Sequence, residues 1–195
     1  MTAKTDTPKR YSLEEYLVME EIAEHKHEFY NGQITTMAEA KETHNAICAN
    51  LIFSLAQKIR IQEELLFKLY TSDMKVWLPK KQSIVYPDAL VVSKPPQFYK
   101  GRKDILTNPF LIAEVLSNST KEYDQKDKFE LYKSVESFQE YVLISQEEKN
   151  IIVFSKQENN KWVKCEFNAM TEVISLPNIG FEIQMNEVYF DITFN

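Results

Sequence analysis

A single carboxylate interrupts the apolar run Phe110-Leu-Ile-Ala-Glu-Val-Leu116, which has the length of a buried strand. Because desolvating an unpaired carboxylate costs several kcal/mol, Glu114 needs a compensating partner, and a metal ion would serve. The run Tyr86-Pro-Asp-Ala-Leu-Val-Val92 repeats this arrangement 26 residues earlier, with Asp88 directly before a Val/Leu run. The sequence therefore predicts two acids on two core strands.

Length and composition indicate one large domain. The 195 residues predict a polar, disordered tail over 1–10 and a single domain over 11–195. A net charge of −6 argues against a broad basic face that coats nucleic acid, although a local basic groove stays open. Two distant cysteines, an N-terminus without an apolar signal core and the lack of a membrane-length apolar window predict a reduced, cytoplasmic protein.

Hydrophobic periodicity and turn signals predict the order of elements. A capping box at Ser12 and Glu15 opens a short helix, and Asn31-Gly32 marks a hairpin over 27–37. Four-residue spacing of apolar side chains predicts a long helix over 41–64, and a second helix is expected over 121–135. The predicted strands are 66–71, 74–78, 85–92, 110–116, 140–145, 150–156, 161–167 and 181–185, with one helical turn near 104–106. This order predicts an α/β or α+β sandwich, with a mixed central sheet flanked by helices and an N-terminal hairpin.

The two acids suggest a metal site. If their strands are neighbours, a divalent ion between Asp88 and Glu114 has two anionic ligands, and the backbone carbonyl of Val115 adds a third. Mg²⁺ prefers oxygen ligands and retains several waters, so two carboxylates are enough to hold it, and Mn²⁺ is expected to substitute. A metal-activated water with a nearby lysine is what phosphodiester hydrolysis requires.

Several short motifs, taken in order, resemble a known family. They are Pro87-Asp88, Glu114-Val-Leu-Ser117, Ser119-Thr120 followed by Asp124, Lys128 and Tyr132, and Glu140-Tyr-Val-Leu-Ile144. Together they resemble the Uma-type restriction endonucleases, a branch of the PD-(D/E)XK nuclease superfamily, over most of the chain. The resemblance implies a restriction-endonuclease-like fold and a Mg²⁺-dependent endonuclease acting on DNA, in which Asp88 and Glu114 bind the metal.

The lysine departs from the superfamily pattern. That pattern has a lysine two residues after the second acid, where this chain has Leu116. The Uma-type branch supplies the lysine from the following helix, and the matching position is Lys128. Lys126 lies about 200° around the helix from Lys128, so only one of the two can point at the site. Lys128 shares a face with Tyr132, four residues on, and this favours Lys128.

The candidate residues have structural alternatives. Glu114 could form a core salt bridge with Lys128 or Lys126 without any metal. Glu28 is a further acid of the site or a surface charge, and His44 approaches metal or phosphate or is an ordinary helix residue. Cys48 follows His44 at a spacing that can hold a transition metal, although a small buried cysteine is favoured. Asp124 and Tyr132 are expected to support the site.

Three classes of function remain open. The first is a metal-dependent endonuclease with Asp88, Glu114 and Lys128 as catalytic residues. The second is a catalytically inactive nuclease-fold module that binds nucleic acid or protein, and the third is a metal-independent interaction protein in which the acids are structural. A homodimer is expected for the enzyme, because each site of this kind cleaves one strand.

Overall fold

The structure, a computed structural model, describes residues 9–62, 66–117 and 121–194. Most of the predicted tail and the Ser119-Thr120 motif lie outside these residues. The helices are α1 Leu13–Ile22, α2 Glu42–Arg60, α3 Lys121–Tyr123, a π-helical segment Asp124–Lys128, α4 Phe129–Tyr132 and α5 Met185–Val188. Across the described ranges, no helix has the length and apolar character needed to cross a membrane.

Thirteen strands form three sheets within the described residues. The strands are β1 His27–Tyr30, β2 Gln33–Thr36, β3 Phe67–Thr71, β4 Lys75–Leu78, β5 Ser83–Val85, β6 Ala89–Ser93, β7 Ile105–Leu106, β8 Pro109–Leu116, β9 Glu140–Ser145, β10 Ile151–Lys156, β11 Trp162–Phe167, β12 Val173–Leu176 and β13 Phe181–Gln184. The orders are β11-β10-β9-β8-β6-β3, β2-β1-β5-β4-β7 and β12-β13. The predicted mixed α+β architecture is thus confirmed.

The N-terminal elements form as their local sequence predicts. Ser12 caps α1 and exchanges hydrogen bonds with Glu15, and this is the expected capping box. Asn31 and Gly32 both have positive φ, at 46° and 85°, which the tight turn between β1 and β2 requires. The first hairpin is therefore confirmed.

Strand β8 lies inside the six-stranded sheet, antiparallel to β6 and parallel to β9. A parallel pair needs a long crossover connection, and here the helical segments between 121 and 132 provide it. Apolar side chains of this crossover pack on the sheet face that carries Ile112 and Leu116. The crossover thereby brings its polar side chains close to Glu114.

The two faces of the large sheet are covered differently. Helix α2, the β12-β13 hairpin and α5 cover one face, where Leu55, Ala113 and Ile183 share a cluster. The crossover helix and part of the five-stranded sheet cover the other face, where Val85 and Tyr132 belong to a second cluster. Helix α1 packs on the five-stranded sheet, where the ring of Tyr16 in α1 stacks on the ring of Phe29 in β1.

Two local predictions were wrong, and one strand was missed. The run 85–92 is not one strand, because the chain leaves β5 at Val85, turns through Pro87, which has no N–H for a ladder, and enters β6 in the other sheet. The helical turn expected near 104–106 lies at Tyr99–Gly101, and Ile105–Leu106 pairs in parallel with β4. Strand β12 was not predicted.

The second helix also departs from its prediction over 121–135. A π-helical segment interrupts it at Asp124–Lys128, and regular helix ends at Tyr132. The N–H and the hydroxyl of Ser134 both donate to the carbonyl of Leu131, which tightens the last turn and directs the chain toward β9. π-helical segments such as Asp124–Lys128 often occur at functional sites.

Candidate active site

Asp88 and Glu114 lie side by side on neighbouring strands, just before the start of β6 and near the end of β8. Ala89 pairs with Ala113, so the two acids follow as the next opposing positions. The N–H of Asp88 donates to Oε2 of Glu114 over 3.3 Å, and the N–H of Val115 donates to Oδ2 of Asp88 over 2.7 Å. The two acid-bearing strands are neighbours in the sheet, and this meets the condition that the suggested metal site requires.

The side chain of Lys128 points into this site and is only 7% exposed. Its Nζ lies 3.0 Å from Oε1 of Glu28, 3.3 Å from Oε1 of Glu114 and 3.3 Å from Oδ1 of Asp124. Lys126 points away, is 71% exposed and pairs with Glu122 over 2.8 Å. The prediction that only one of the two lysines can face the acids is confirmed, and that lysine is Lys128.

Tyr132 completes the surroundings of Glu114. Its hydroxyl donates to Oε1 of Glu114 over 2.8 Å, and its ring is fully buried. The ion pair between Lys128 and Glu114, expected under the structural alternative, is therefore present together with a hydrogen bond to the same carboxylate oxygen. A catalytic role for Lys128 must operate from within this network.

Glu28 reaches the site from the other sheet. Strand β1 pairs with β5, and the chain then passes through Tyr86 and Pro87 into β6. The N–H of Tyr86 approaches Oε1 of Glu28 at 3.4 Å, the same oxygen that contacts Lys128. Glu28 is thus a member of the charged cluster, and the surface-charge alternative does not hold.

His44 and Cys48 lie on α2, and their side chains approach Asp88. Nε2 of His44 lies 3.0 Å from Oδ1 of Asp88. Although burial acts to lower the pKa of His44, the hydrogen bond and the charge of Asp88 raise it above its ordinary value. Burial, with the charges of Asp88 and Glu114, also raises the pKa of the Cys48 thiol.

The cluster contains more negative than positive charge. The carboxylates of Glu28, Glu114 and Asp124 contact the ammonium group of Lys128, and a fourth carboxylate, that of Asp88, lies beside Glu114 and pairs with His44. Burial raises the pKa of Glu114 well above its ordinary value, opposed by Lys128 and assisted by Asp124 and Asp88. Burial acts to lower the pKa of Lys128, but Glu114, Glu28 and Asp124 raise it well above its usual value. The lysine therefore holds its proton, and a further cation beside Glu114 would favour the ionised form of that carboxyl.

This donor set fits a hard divalent ion. Carboxylate oxygens are the ligands that Mg²⁺ prefers, and a divalent charge would offset the excess of carboxylates. Asp88 and Glu114 are the residues that would hold it. The N–H of Val115 points to the β6 edge, and in an extended strand the carbonyl of the same residue faces that edge too, which keeps Val115 as a candidate third ligand.

Sequence patterns missed two tyrosines that enclose the site. Nζ of Lys128 lies 5.7 Å from the ring centroid of Tyr123, and the hydroxyl of Tyr141 donates to the backbone carbonyl of Asp124 over 3.0 Å. Both occur at positions that a strand or helix pattern assigns to the apolar core. Because the π-helical segment could not be foreseen, neither could its contact with Tyr141.

The fold is that of a mixed α+β protein with a cluster of carboxylates beside β6 and β8. The chain belongs to the Uma2 family, described as putative restriction endonucleases, which matches residues 13–186. The resemblance found in the sequence motifs is thereby confirmed.

Two relatives and one solved structure are similar to this chain over most of its length. The chain is 35% identical over 160 residues to the uncharacterized protein sll1609 of Synechocystis sp., covering 82% of this chain and 89% of that protein. It is 29% identical over 187 residues to slr1290 of the same organism, covering 95% and 94%. The crystal structure of a putative nuclease belonging to DUF820 from Anabaena variabilis superposes with a TM-score of 0.73 at 16% identity, covering 92% of this chain and 97% of that one. At this identity the last comparison shows the fold alone.

Proposed function

We propose that the chain is a Mg²⁺-dependent endonuclease that hydrolyses phosphodiester bonds of DNA. The observation that supports this most directly is the meeting of Asp88, Glu114 and Lys128 at one sheet edge, with more carboxylates than a single lysine can balance. Membership of the family described as restriction endonucleases supports a nucleic-acid substrate.

Each residue then has a distinct role. Asp88 and Glu114 would hold the ion, which would supply positive charge to polarise the phosphate and activate a water. Because its pKa is raised, Lys128 acts as a fixed positive charge that stabilises charge developing on the phosphate, and it orients the attacking water once one of its three carboxylate contacts is exchanged for that water. A general-base role is not assigned to it.

The surrounding side chains position these groups. The Tyr132 hydroxyl fixes one oxygen of Glu114, and His44 with the N–H of Val115 fixes both oxygens of Asp88. Glu28 and Asp124 hold the ammonium group of Lys128 from two further directions. The expected homodimer, which would supply two such sites to a duplex, stays part of the proposal.

Metal titration tests the site directly. We expect Mg²⁺ and Mn²⁺ to bind weakly to the parent and to lose most of that affinity in both Asp88→Asn and Glu114→Gln, measured by calorimetry. Glu140→Gln is the matched control, because Glu140 is an equally buried strand carboxylate remote from this cluster. If each single site variant keeps the parent's affinity, the metal site is misplaced.

Cleavage of plasmid DNA then separates the enzyme from the inactive binding module. The enzyme predicts Mg²⁺-dependent nicking that both site variants lose. A chain that binds metal and DNA through these acids but leaves every DNA and RNA substrate intact would be the binding module instead.

A further inference from the structure

A second set of metal-ligating atoms lies on the α2 side of Asp88. One ligand atom each from His44, Cys48 and Asp88 lies within 4.8 Å of the other two. His44 and Cys48 are one helical turn apart on α2, so both project from the same face of the helix toward the end of β6. All three residues are partly accessible, so an ion could enter without local unfolding.

The spacing suits a tetrahedral ion. Two ligands at about 2.0–2.1 Å from a tetrahedral metal are separated by about 3.3 Å, and sulfur ligands by slightly more. The His44 Nε2 to Asp88 Oδ1 distance is 3.0 Å, close to that value. The ligand atom of Cys48 lies within 4.8 Å of the ligand atoms of His44 and Asp88. Small side-chain rotations are therefore enough to bring all three atoms to one metal ion.

The donor chemistry differs from that of the Mg²⁺ site. Imidazole nitrogen, thiolate sulfur and one carboxylate oxygen form a mixed set that suits Zn²⁺, whereas Mg²⁺ prefers oxygen alone. Three protein ligands with a fourth position left for water are usual for an accessible zinc site. Cys48 supplies the donor that makes this set selective for the softer ion.

We propose that His44, Cys48 and Asp88 form a zinc site that excludes Mg²⁺ from the neighbouring nuclease site because both sites need Asp88. Zinc binding stands on these three side chains alone. The regulatory consequence, inhibition of DNA cleavage by Zn²⁺, rests on the proposed function.

Cobalt titration of the full chain tests the site without any activity assay. Co²⁺ takes the same ligands as Zn²⁺, and coordination by a thiolate adds a charge-transfer band in the near ultraviolet. We expect this band in the parent and its loss in Cys48→Ala, with affinity lower by more than about tenfold. Cys48→Ser provides a second variant of similar volume, and thermal melting establishes that both are folded.

Cys165→Ser is the matched control, since Cys165 is the other cysteine and lies exposed on β11. It should keep both the band and the affinity. A parent without the band, or a band that disappears with Cys165 instead of Cys48, would overturn the site. Asp88→Asn should also weaken Co²⁺ binding, and unchanged binding in that variant would remove Asp88 from the ligand set.

Competition tests the shared ligand. Added Mg²⁺ should lower the apparent Co²⁺ affinity of the parent, and no effect at saturating Mg²⁺ would refute mutual exclusion. In cleavage assays, Zn²⁺ should inhibit the parent, and Cys48→Ala should need at least about tenfold more Zn²⁺ for the same fractional loss of its own Mg²⁺-supported rate. A parent that cleaves nothing would refute the proposed function, while the cobalt band would still decide the metal site.

Discussion

Two buried glutamates on neighbouring parallel strands have opposite surroundings. Glu114 lies in β8 and Glu140 begins β9, and the parallel register pairs Leu111 with Glu140 and Glu114 with Leu143. Because successive side chains alternate between faces, the two carboxylates project from opposite sides of the same sheet. Both are at most 3% exposed.

The two carboxylates are stabilised differently. Glu114 contacts the ammonium group of Lys128 and the hydroxyl of Tyr132. Oε1 of Glu140 accepts from the N–H of Asn178 at 2.9 Å and from the hydroxyl of Ser155 at 3.4 Å, while its Oε2 has no hydrogen-bond partner among the described residues. Burial raises the pKa of Glu140 to about 7, although these donors oppose the shift.

Glu140 has a structural role that the contacts make plain. Asn178, in the turn before β13, donates through its side chain to the backbone carbonyls of Gln139 and Lys156 and through its N–H to Glu140. This arrangement fastens the C-terminal hairpin to the large sheet. A buried carboxylate therefore indicates a reactive site only when other charged groups converge on it.

The largest effect is expected when the positive charge of Lys128, which contacts Glu114, is removed. In Lys128→Ala, two buried carboxylates, Glu114 and Asp124, and the half-buried Glu28 lose their counter-charge, and removing one partner of a buried pair costs about 3–5 kcal/mol. We expect that loss of unfolding free energy in chemical denaturation at neutral pH. Cleavage, measured where the variant is folded, should fall by about a hundredfold or more.

Two variants control this experiment. Lys126→Ala removes an exposed charge from the same crossover helix and should change stability by less than about 0.5 kcal/mol. Lys128→Met keeps most of the side-chain volume, so it separates loss of charge from creation of a cavity. If Lys128→Ala loses less than about 1 kcal/mol of unfolding free energy, the carboxylates are neutralised by bound protons and not by the charge of Lys128.

The second prediction concerns pH and the other face. The folded-state pKa of Glu140, about 7, lies above its ordinary value, so between these two values the folded chain keeps a proton that the unfolded chain has released. Stability conferred by this group is therefore complete below its ordinary pKa and is lost as pH rises to about 7. At about 1.4 kcal/mol per pH unit, the loss reaches up to about 3 kcal/mol.

Glu140→Gln cannot titrate and should lack this dependence. We expect the unfolding free energy of the parent to fall relative to Glu140→Gln between pH 5 and pH 8, measured by urea denaturation at both values. A difference between the two proteins that is the same at both pH values would contradict the assignment. The metal affinity of Glu140→Gln should equal that of the parent, because Glu140 and Glu114 project from opposite faces of the sheet.

Much of the fold follows from local sequence, and the exceptions have physical causes. Capping at Ser12 and the positive φ angles at Asn31 and Gly32 are local, so the first helix and the hairpin were predictable. The break of the 85–92 run between two sheets depends on which strands pair with β5 and β6, and this information is not local. The π-helical segment likewise reflects packing of the crossover.

The site was predicted in part, and Glu140 shows why. A lone carboxylate in an apolar strand predicts a charged partner, a metal or a lysine, yet the same rule applied to the run beginning at Glu140 would select a residue with only neutral partners. The order of the family motifs selected Glu114 correctly as part of a charged cluster. Convergence of Glu28 and Asp124 on Lys128 required the three-dimensional structure.

The smallest expected effect compares one buried tyrosine hydroxyl on each face. Tyr132 donates to the carboxylate of Glu114 over 2.8 Å, whereas the single O–H of Tyr189 faces neutral backbone groups: the carbonyls of Asn150, Ser145 and Glu148 at 2.8, 2.9 and 3.2 Å, and the N–H of Asn150, from which it accepts at 3.2 Å. Hydrogen bonds to charged groups contribute about 1.5–3 kcal/mol, against about 1 kcal/mol for neutral pairs. Tyr132→Phe should therefore cost about 1 kcal/mol more unfolding free energy than Tyr189→Phe at pH 8.

Lowering the pH sharpens this last comparison. The pKa of Glu114 is raised well above its ordinary value, so Glu114 takes up a proton as pH falls and its bond with Tyr132 becomes one between neutral groups. The excess cost of Tyr132→Phe over Tyr189→Phe should then shrink, while the cost of Tyr189→Phe stays constant because its acceptors do not titrate. If the two variants cost the same at pH 8 as well, the hydrogen bond between Tyr132 and Glu114 is already one between neutral groups at that pH, and the prediction is wrong.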